Sequence, residues 1–191
     1  MTEINPTDWQ NSTPQTGTKC GKTCLVYDKN RRPIETTLPG PLRAPFGASN
    51  FDDPDAIRQN LDLTLDDDDL VKQFQKIDEF LINHAIENRE TLFKGNQTPE
   101  KIRESYRSLL RTREGYKPML RTKVNLEKCR CWNETHEIRE LPQDRFRQAE
   151  LWVKIAVRQL WYVSATWGLT LECTDVKIRE QKIECPFYLD F

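Results

Sequence analysis

Apolar and polar residues alternate with a period of two in several stretches of this chain. Such alternation predicts β-strands that bury one face. It is clearest over residues 60–65, 116–126, 149–163 and 168–178, and residues 23–27 and 33–38 form two shorter extended stretches. Residues 164–168 join the last two long stretches, and their number and their glycine predict a hairpin turn.

The apolar period changes to that of a helix after the stretch at 60–65. Aspartates at 66–69 precede an apolar stripe of Leu70, Phe74, Ile77, Leu81 and Ala85. Carboxylates at this position cap free N–H groups and interact favourably with the helix dipole, which explains them without a divalent metal ion. A second helix is predicted from Thr98, with Pro99 in its first turn, to near Gly115.

These elements follow the order strands, helical hairpin, strands, without the β-α-β alternation of a parallel sheet. The order predicts an α+β chain that is mainly β, with an antiparallel β-barrel or sandwich and a helical insertion at 66–114. Residues 20–179 make up this domain. Residues 1–19 contain only Ile4 and Trp9 as large apolar side chains, so we expect a disordered N-terminal arm. Residues 180–191 are expected to form a C-terminal tail.

Composition restricts the class of protein. Hydrophobic residues make up 37% of the chain, and the mean hydropathy is −0.77, so a large part of the chain lies outside any core. No apolar run approaches the roughly 20 residues that a bilayer span needs, and residues 1–19 do not resemble a secretory signal. We therefore expect an intracellular protein with no membrane partner.

Charge is balanced in total but segregated along the chain. The formal net charge is −1, whereas residues 50–97 contain 12 acidic and 5 basic side chains and residues 101–130 contain 10 basic and 3 acidic ones. Segregation of this kind indicates that one surface attracts a polyanion. Two solvated faces that compensate each other are the alternative.

The cysteines offer a weak metal-site hypothesis. Cys20 and Cys24 have three residues between them, and Cys129 and Cys131 have one, with His136 nearby. The second spacing is tighter than that of structural zinc sites, so we expect no metal and no cofactor, and the sequence leaves metal binding by these cysteines open. Motifs of phosphate-cradling loops and of nucleophilic enzymes are absent from the sequence, which argues against an enzyme.

The strand at 116–126 has one apolar and one cationic face. Alternation places Tyr116, Leu120 and Val124 on the core face. The other face carries Lys117, Met119, Arg121, Lys123 and Asn125. Neighbours on one face are about 6–7 Å apart, close to the spacing of successive phosphates in an extended single strand of nucleic acid.

The outward face of the strand at 149–163 mixes rings and cations. By alternation its inward side chains include Trp161 and Val163, and its outward ones are Glu150, Trp152, Lys154, Ala156, Arg158, Leu160 and Tyr162. Such a face needs a covering, which could be the helical hairpin, stacked nucleobases with phosphates on the cations, or a protein partner. Further rings near cations raise the nucleic-acid hypothesis, namely Trp132 after Lys128 and Arg130, Trp167 at the hairpin turn, and Phe146, which otherwise anchors its loop.

Several short motifs resemble one known family. They are Pro45-Phe46-Gly47, Phe74-Gln75-Lys76-Ile77-Asp78-Glu79, Tyr106-Arg107-Ser108-Leu109-Leu110-Arg111, Gly115-Tyr116-Lys117-Pro118 and Trp167-Gly168-Leu169-Thr170-Leu171. They are similar to the OB-fold single-stranded DNA-binding proteins of large eukaryotic DNA viruses and virophage-like elements, over roughly residues 42–189.

The resemblance implies an OB barrel that binds single strands without sequence preference during replication, repair or recombination. By position, Lys117, Arg121 and Lys123, together with Trp152, Lys154 and Arg158, would line its groove. It further implies that the protein is located in the host nucleus or a cytoplasmic viral factory and that replication proteins bind its C-terminal tail. It leaves open whether the chain forms a homo-oligomer. A virion or scaffold interaction module and a single-stranded RNA-binding protein are the alternatives.

Overall fold

The structure, a computed structural model, describes residues 5–16, 21–93, 95, 97–142, 144–163 and 165–179. The predicted C-terminal tail, Cys20 and the ends of the predicted N-terminal arm lie outside the described residues. The strands are β1 Gln10–Asn11, β2 Gln15–Thr16, β3 Lys22–Tyr27, β4 Ile34–Thr37, β5 Leu42–Ala44, β6 Ala48–Ser49, β7 Arg58–Thr64, β8 Tyr106–Arg107, β9 Leu110–Arg113, β10 Tyr116–Asn125, β11 Arg130–Trp132, β12 Ile138–Arg139, β13 Ala149–Val163 and β14 Thr166–Ile178.

Strands β13, β5, β7, β10 and β14 pair in this order, and β14 pairs back with β13, which closes a barrel. The barrel confirms the OB-like, mainly β architecture predicted from the sequence. It is not purely antiparallel, because β10 runs parallel to β14. Its interior is filled by the predicted core faces, with Leu120 and Val124 of β10 and Leu151, Val153 and Ile155 of β13 fully buried.

Helix α1, Asp68–Glu87, buries the predicted apolar stripe against the barrel. The side chain of Asp67 accepts hydrogen bonds from the N–H groups of Asp69 and Leu70, so it caps the helix. Helices α2, Arg89–Leu92, and α3, Pro99–Glu104, follow. Within the ranges that the structure describes, no helix is both long and apolar enough to cross a bilayer.

The predicted second helix is wrong beyond Glu104. Residues that were expected to continue it to Gly115 instead form β8 and β9, because their backbone groups pair with barrel strands. Strand β8 lies parallel to β14, and β9 forms an antiparallel hairpin with β10. The insertion is therefore one long helix, two short helices and two short strands that pair with different barrel strands, rather than a helical hairpin.

Residues 5–16 also differ from the disordered arm that composition favours. They contain a 3₁₀ helix, Pro6–Asp8, followed by β1 and β2, which both pair with β3. Trp9 packs against the core. The physical reason is that the edge strand β3 offers unpaired backbone groups, which a polar segment can satisfy as well as an apolar one.

A bulge in β13 overturns the predicted outward position of Tyr162. Val157 pairs with Leu171 and Gln159 with Thr170, so one residue of β13 has no partner on β14 and the alternation reverses beyond it. Leu160 and Tyr162 consequently point inward and are buried, whereas Val163 is 42% exposed. Trp161 becomes an outward residue.

Trp167 is likewise a core residue and not a binding residue at a hairpin tip. Its side chain is 1% exposed, and its indole N–H donates to the carbonyl oxygen of Ile102 at 2.8 Å. Tyr162 stacks on it with ring centroids 5.8 Å apart, and Phe93 meets both rings edge-on. The Tyr162 and Trp167 rings are therefore covered by the helical segment and not left free for nucleobases.

Candidate nucleic-acid interface

An open groove of about 890 Å³ crosses the outer face of the barrel. The charged side chains that line it are Arg107, Arg111, Arg121, Lys123 and Asp62. Four cationic groups therefore face one carboxylate, which makes the groove electropositive and suited to a polyanion.

Adjacent strands place these cations. Arg121 and Lys123 are alternate residues of β10 and so share its outer face, as predicted. Arg111 of β9 lies beside Met119 of β10. Arg107 comes from β8, which runs along β14. Each cation therefore sits on hydrogen-bonded backbone rather than on a loop.

Lys123 and Asp62 are the partly buried charged groups of the groove. The Lys123 ammonium donates to Oδ1 of Asn60 at 2.5 Å. Burial, and then the nearby Arg58 guanidinium, lower the pKa of Lys123. Asp62 lies 3.5 Å from the Arg111 guanidinium, and burial raises its pKa although Arg111 and Arg121 oppose the shift.

Two phenylalanines stand at the rim of the groove with their rings in solvent. Phe51 is 99% exposed and Phe46 is 57% exposed, and both line the groove. A large apolar ring beside a cationic surface gains nothing from that position in the free protein. An exposed ring is what a stacking platform for nucleobases requires.

The loop that carries these rings is held by hydrogen bonds to the neighbouring loop around Arg145. Ala48 N–H donates to the carbonyl of Arg145 at 2.6 Å, and the Arg145 guanidinium donates to the carbonyl of Pro54 at 2.6 Å. Gly47 has φ +66°, and a Cβ there would lie 2.6 Å from the Arg145 carbonyl oxygen. Phe146 is fully buried and anchors the bracing loop, which was one of the two roles considered for it.

Trp161 supplies a third ring. It faces outward because of the bulge in β13, and it lines the groove. Gly168 of β14 lies opposite it, and a Cβ at Gly168 would be 3.1 Å from Cζ2 of the indole. The missing side chain therefore lets the indole lie close against the strand.

Sequence reasoning found Arg121 and Lys123 but missed five other groove residues: Phe46, Phe51, Arg107, Arg111 and Trp161. Arg107 and Arg111 fall where a helix was expected, and Trp161 was assigned to the core. The excess of basic residues over 101–130 was the signal for the two arginines. The polar residue at position 159, on the face expected to be apolar, was the signal for the reversal at Trp161.

Three other predicted cations lie outside the groove, and two of them form ion pairs. Lys117 pairs with Asp66, and Lys154 pairs with Glu35 at 2.5 Å. Lys128 is exposed in the turn after β10. None of these three is among the residues that line the groove.

Arg158 belongs to a bridged cluster next to Lys123. Glu172 of β14 accepts from Arg158 at 3.1 Å and from Arg58 at 3.0 Å, so one carboxylate holds two guanidinium groups. Lys123 is the register partner of Glu172 across the parallel β10–β14 pair. The cluster therefore continues the outer face of the groove along β14.

The predicted rings Trp132 and Trp152 lie farther along the same sheet and are half-buried. The Trp132 indole N–H donates to Asp175 at 3.1 Å. Arg130 forms a 2.7 Å ion pair with Asp175, and its guanidinium carbon lies 5.9 Å from the Trp132 ring. Lys177 covers the Trp152 ring, with Nζ 4.4 Å from the centroid. These rings are engaged by protein cations, unlike Phe46 and Phe51.

The described cysteines form no metal site. Among the residues that the structure describes, no group of three or more His, Cys, Asp or Glu could hold an ion. Cys24, Cys131 and Cys173 are buried. Burial raises the pKa of the Cys173 thiol to about 12 and also raises the pKa of the Cys129 thiol, which disfavours the thiolate form that binds metal ions.

No family model matches the chain, and no curated protein matches it. A single-stranded DNA-binding protein encoded by bacteriophage T7, gp2.5, superposes with a TM-score of 0.53 at 15% identity, covering 82% of this chain and 91% of that chain. A C-terminally truncated single-stranded DNA-binding protein from bacteriophage Enc34 gives 0.50 at 11% identity, covering 93% and 98%. At these identities the likeness shows a shared fold.

Proposed function

We propose that this chain binds single-stranded DNA without sequence preference, and that the strand runs along the groove on the outer face of the barrel. The observation that carries the proposal is the combination of four cations on paired strands with two solvent-exposed phenylalanine rings at the rim. Cations hold phosphates and rings stack on bases, which together are the requirements for single-strand binding.

The geometry favours an unpaired strand over a duplex. Arg121 and Lys123 are about 6–7 Å apart along β10, so they match successive phosphates of one extended strand. Phe46, Phe51 and Trp161 can stack only on bases whose faces are free. Every base has such a face, so recognition by stacking tolerates any sequence.

The shared fold supports the same proposal, because the superposed structures are single-stranded DNA-binding proteins of bacteriophages. We propose a viral, non-enzymatic protein that protects or organises single strands in replication, repair or recombination. Membership of the family of large eukaryotic DNA viruses, an intracellular location, and replication proteins as partners of residues 180–191 are parts of this proposal that rest on the sequence.

Fluorescence anisotropy with labelled oligo-dT at several salt concentrations tests the function. The wild-type protein should bind at low salt and lose affinity steeply as salt rises. The double variant Arg121→Ala/Lys123→Ala should reduce the salt slope by about 1.4, since each phosphate contact contributes about 0.7 for single strands. Phe51→Ala should weaken binding by about 1–3 kcal/mol if a base stacks on that ring.

Lys72→Ala is the matched control, because Lys72 is an exposed cation on helix α1 that pairs with Asp69. It should bind like the wild type. Absence of binding to oligo-dT at low salt, or equal affinity for a duplex of the same length, would refute the proposal. Competition with oligo-U decides between DNA and RNA, since a preference for oligo-U would favour the RNA-binding alternative.

A further inference from the structure

We propose that the tip of the β9–β10 hairpin, formed by Arg113 and Tyr116, is a separate stacking subsite for one end of the bound strand. The inference rests on the proposed function. It adds a residue pair that the groove does not include. Alternation along β10 would assign Tyr116 of this pair to the core.

A bulge turns Tyr116 toward the face of the groove cations. Leu120 pairs with Leu110 and Met119 with Arg111, but Tyr116 pairs with Arg113, so β10 contains one residue more than β9 over this stretch. The extra residue reverses the alternation. Tyr116 therefore leaves the core face and points to the same side as Arg113.

The exposure of the pair agrees with this register. Tyr116 is 68% exposed, and the guanidinium carbon of Arg113 lies 5.2 Å from its ring centroid. Arg113 and Tyr116 are joined by a turn in which a Cβ at Gly115 would have nothing within 4 Å. The tip thus stands clear of the barrel and presents one ring and one cation to solvent.

The tip continues the row of groove cations. Arg111, which lines the groove, and Arg113 are alternate residues of β9 and so lie about 6–7 Å apart on the same face. That distance is one further phosphate along an extended strand. A strand held by Lys123, Arg121 and Arg111 would reach Arg113 with its next phosphate and place a base against the Tyr116 ring.

Packing of the hairpin is the competing explanation for the Arg113–Tyr116 contact. A cation over an exposed ring is a weak interaction, and a contact of that kind can serve the stability of the turn alone. The two explanations differ in what they predict for DNA, because only a subsite makes the contribution of Tyr116 depend on the length of the oligonucleotide.

The test is a length series of oligo-dT from about 4 to about 16 nucleotides, the range of site sizes of single OB folds. For the shortest oligonucleotides that the wild type binds, Tyr116→Ala should have the same affinity as the wild type. For the longest ones, the affinity of Tyr116→Ala should be about fivefold lower or more. Tyr116→Phe keeps the ring and should match the wild type at every length. Arg113→Gln should reduce the salt slope by about 0.7 for long oligonucleotides only.

Photocross-linking gives a second readout that a packing role would not produce. Oligo-dT with 5-iodouracil at single positions should cross-link to Tyr116 from positions near one end and not from the middle. Arg103→Gln, which removes an exposed arginine that pairs with Glu79 on the helical side, is the control for Arg113→Gln and should leave the salt slope unchanged.

Tyr116→Ala with wild-type affinity at every length and without a position-dependent cross-link would overturn the subsite and leave the groove proposal standing. Wild-type protein that binds no oligonucleotide of any length would overturn both. Thermal unfolding of each variant identifies any loss of the fold. If Tyr116→Ala is destabilised, the cross-link to Tyr116 of the wild-type protein still decides, because its absence near the ends of the oligonucleotide would overturn the subsite.

Discussion

The carboxylate of Asp78 accepts a hydrogen bond from the hydroxyl of Tyr106, with a distance of 2.6 Å between Oδ1 and Oη. Ser108 donates to the same carboxylate at 2.5 Å, and the backbone N–H of Leu109 donates at 3.1 Å. Asp78 is a buried residue of helix α1. It therefore fastens the helix to the segment that carries Arg107 and leads into Arg111, so the helical layer fixes part of the groove.

Asp78→Ala should lower the free energy of unfolding by about 2–4 kcal/mol. The change leaves the buried N–H of Leu109 and the Tyr106 hydroxyl without their acceptor, and hydrogen bonds to charged groups contribute about 1.5–3 kcal/mol each. Urea denaturation measures the loss. Glu79→Ala, which removes the adjacent but exposed carboxylate and its ion pair with Arg103, should cost less than about 1 kcal/mol. Equal losses in the two variants would contradict the role of Asp78 as a fastening residue.

Tyr106, which is partly buried, and Tyr162, which is buried, should respond differently to loss of the hydroxyl. The Tyr162 hydroxyl has no hydrogen-bond partner among the described residues, whereas that of Tyr106 is bonded to Asp78. Tyr162→Phe should leave stability unchanged or raise the free energy of unfolding by up to about 1–3 kcal/mol, and Tyr106→Phe should lower it by about 1.5–3 kcal/mol. Both are measured by urea denaturation.

The affinity of Tyr162→Phe for single-stranded DNA gives a further check on the core position of Tyr162. Tyr162 lies in the core, so Tyr162→Phe should bind oligo-dT as the wild type does. A loss of affinity with unchanged stability would mean that the Tyr162 hydroxyl contacts DNA, which would contradict the core position of this side chain.

Glu172→Gln should tighten binding of single-stranded DNA. Glu172 occupies the position between Arg58 and Arg158 that a phosphate oxygen would otherwise take. Removal of its charge frees two guanidinium groups, and the salt slope should become steeper by up to about 1.4. Anisotropy at several salt concentrations measures the change. Glu79→Gln, which removes a carboxylate from an ion pair on the helical side, is the control. An equal increase in its affinity for single-stranded DNA would show that the effect comes from net charge alone.

Asp62 should make binding depend on pH. Burial raises the pKa of this carboxyl in the free protein, and a phosphate bound nearby would raise it further because like charges favour the neutral form. The bound protein then holds more protons than the free protein, so affinity should increase as the pH falls through the range between the two pKa values.

Asp62→Asn removes the titrating group and its charge. The variant should bind more tightly than the wild type at neutral pH and should show a flatter pH dependence. Anisotropy between neutral pH and the lowest pH at which the protein remains folded tests this. An increase of affinity at low pH that is identical in the two proteins would exclude Asp62 as its origin.

Alternation predicted the faces of the strands well wherever the ladder was regular. Leu120, Thr122 and Val124 are buried and Arg121 is exposed, as expected for β10. The errors lie beyond bulges. An inserted residue separates Tyr116 and Tyr162 from the regular part of their strands, and both changed face. A bulge leaves at most an indirect signal in a single sequence, such as the polar Gln159 on an apolar face, because it depends on how many residues the partner strand supplies.

The segment 106–113 was the other failure, for a related reason. Its apolar residues Tyr106, Leu109 and Leu110 have a spacing that suits a helix, and helical spacing is a local property. The backbone of this segment pairs with β14 and β10 instead. Its Tyr106 hydroxyl and Leu109 N–H donate hydrogen bonds to Asp78, which lies on helix α1 about thirty residues earlier in the chain. Tertiary hydrogen bonds outweighed the local preference.

The sequence by itself determined the order of strands and helix, the apolar interior, and the excess of positive charge over 101–130, because these depend on periodicity and composition along one segment. Only the tertiary structure decided which rings are exposed and which cations share a surface. Phe46 and Phe51, Arg107 and Arg111, and Trp161 come from three separate segments of the chain, and barrel closure with its bulges brings them to one groove. Such a surface is a relation between segments, which no periodicity within a single segment records.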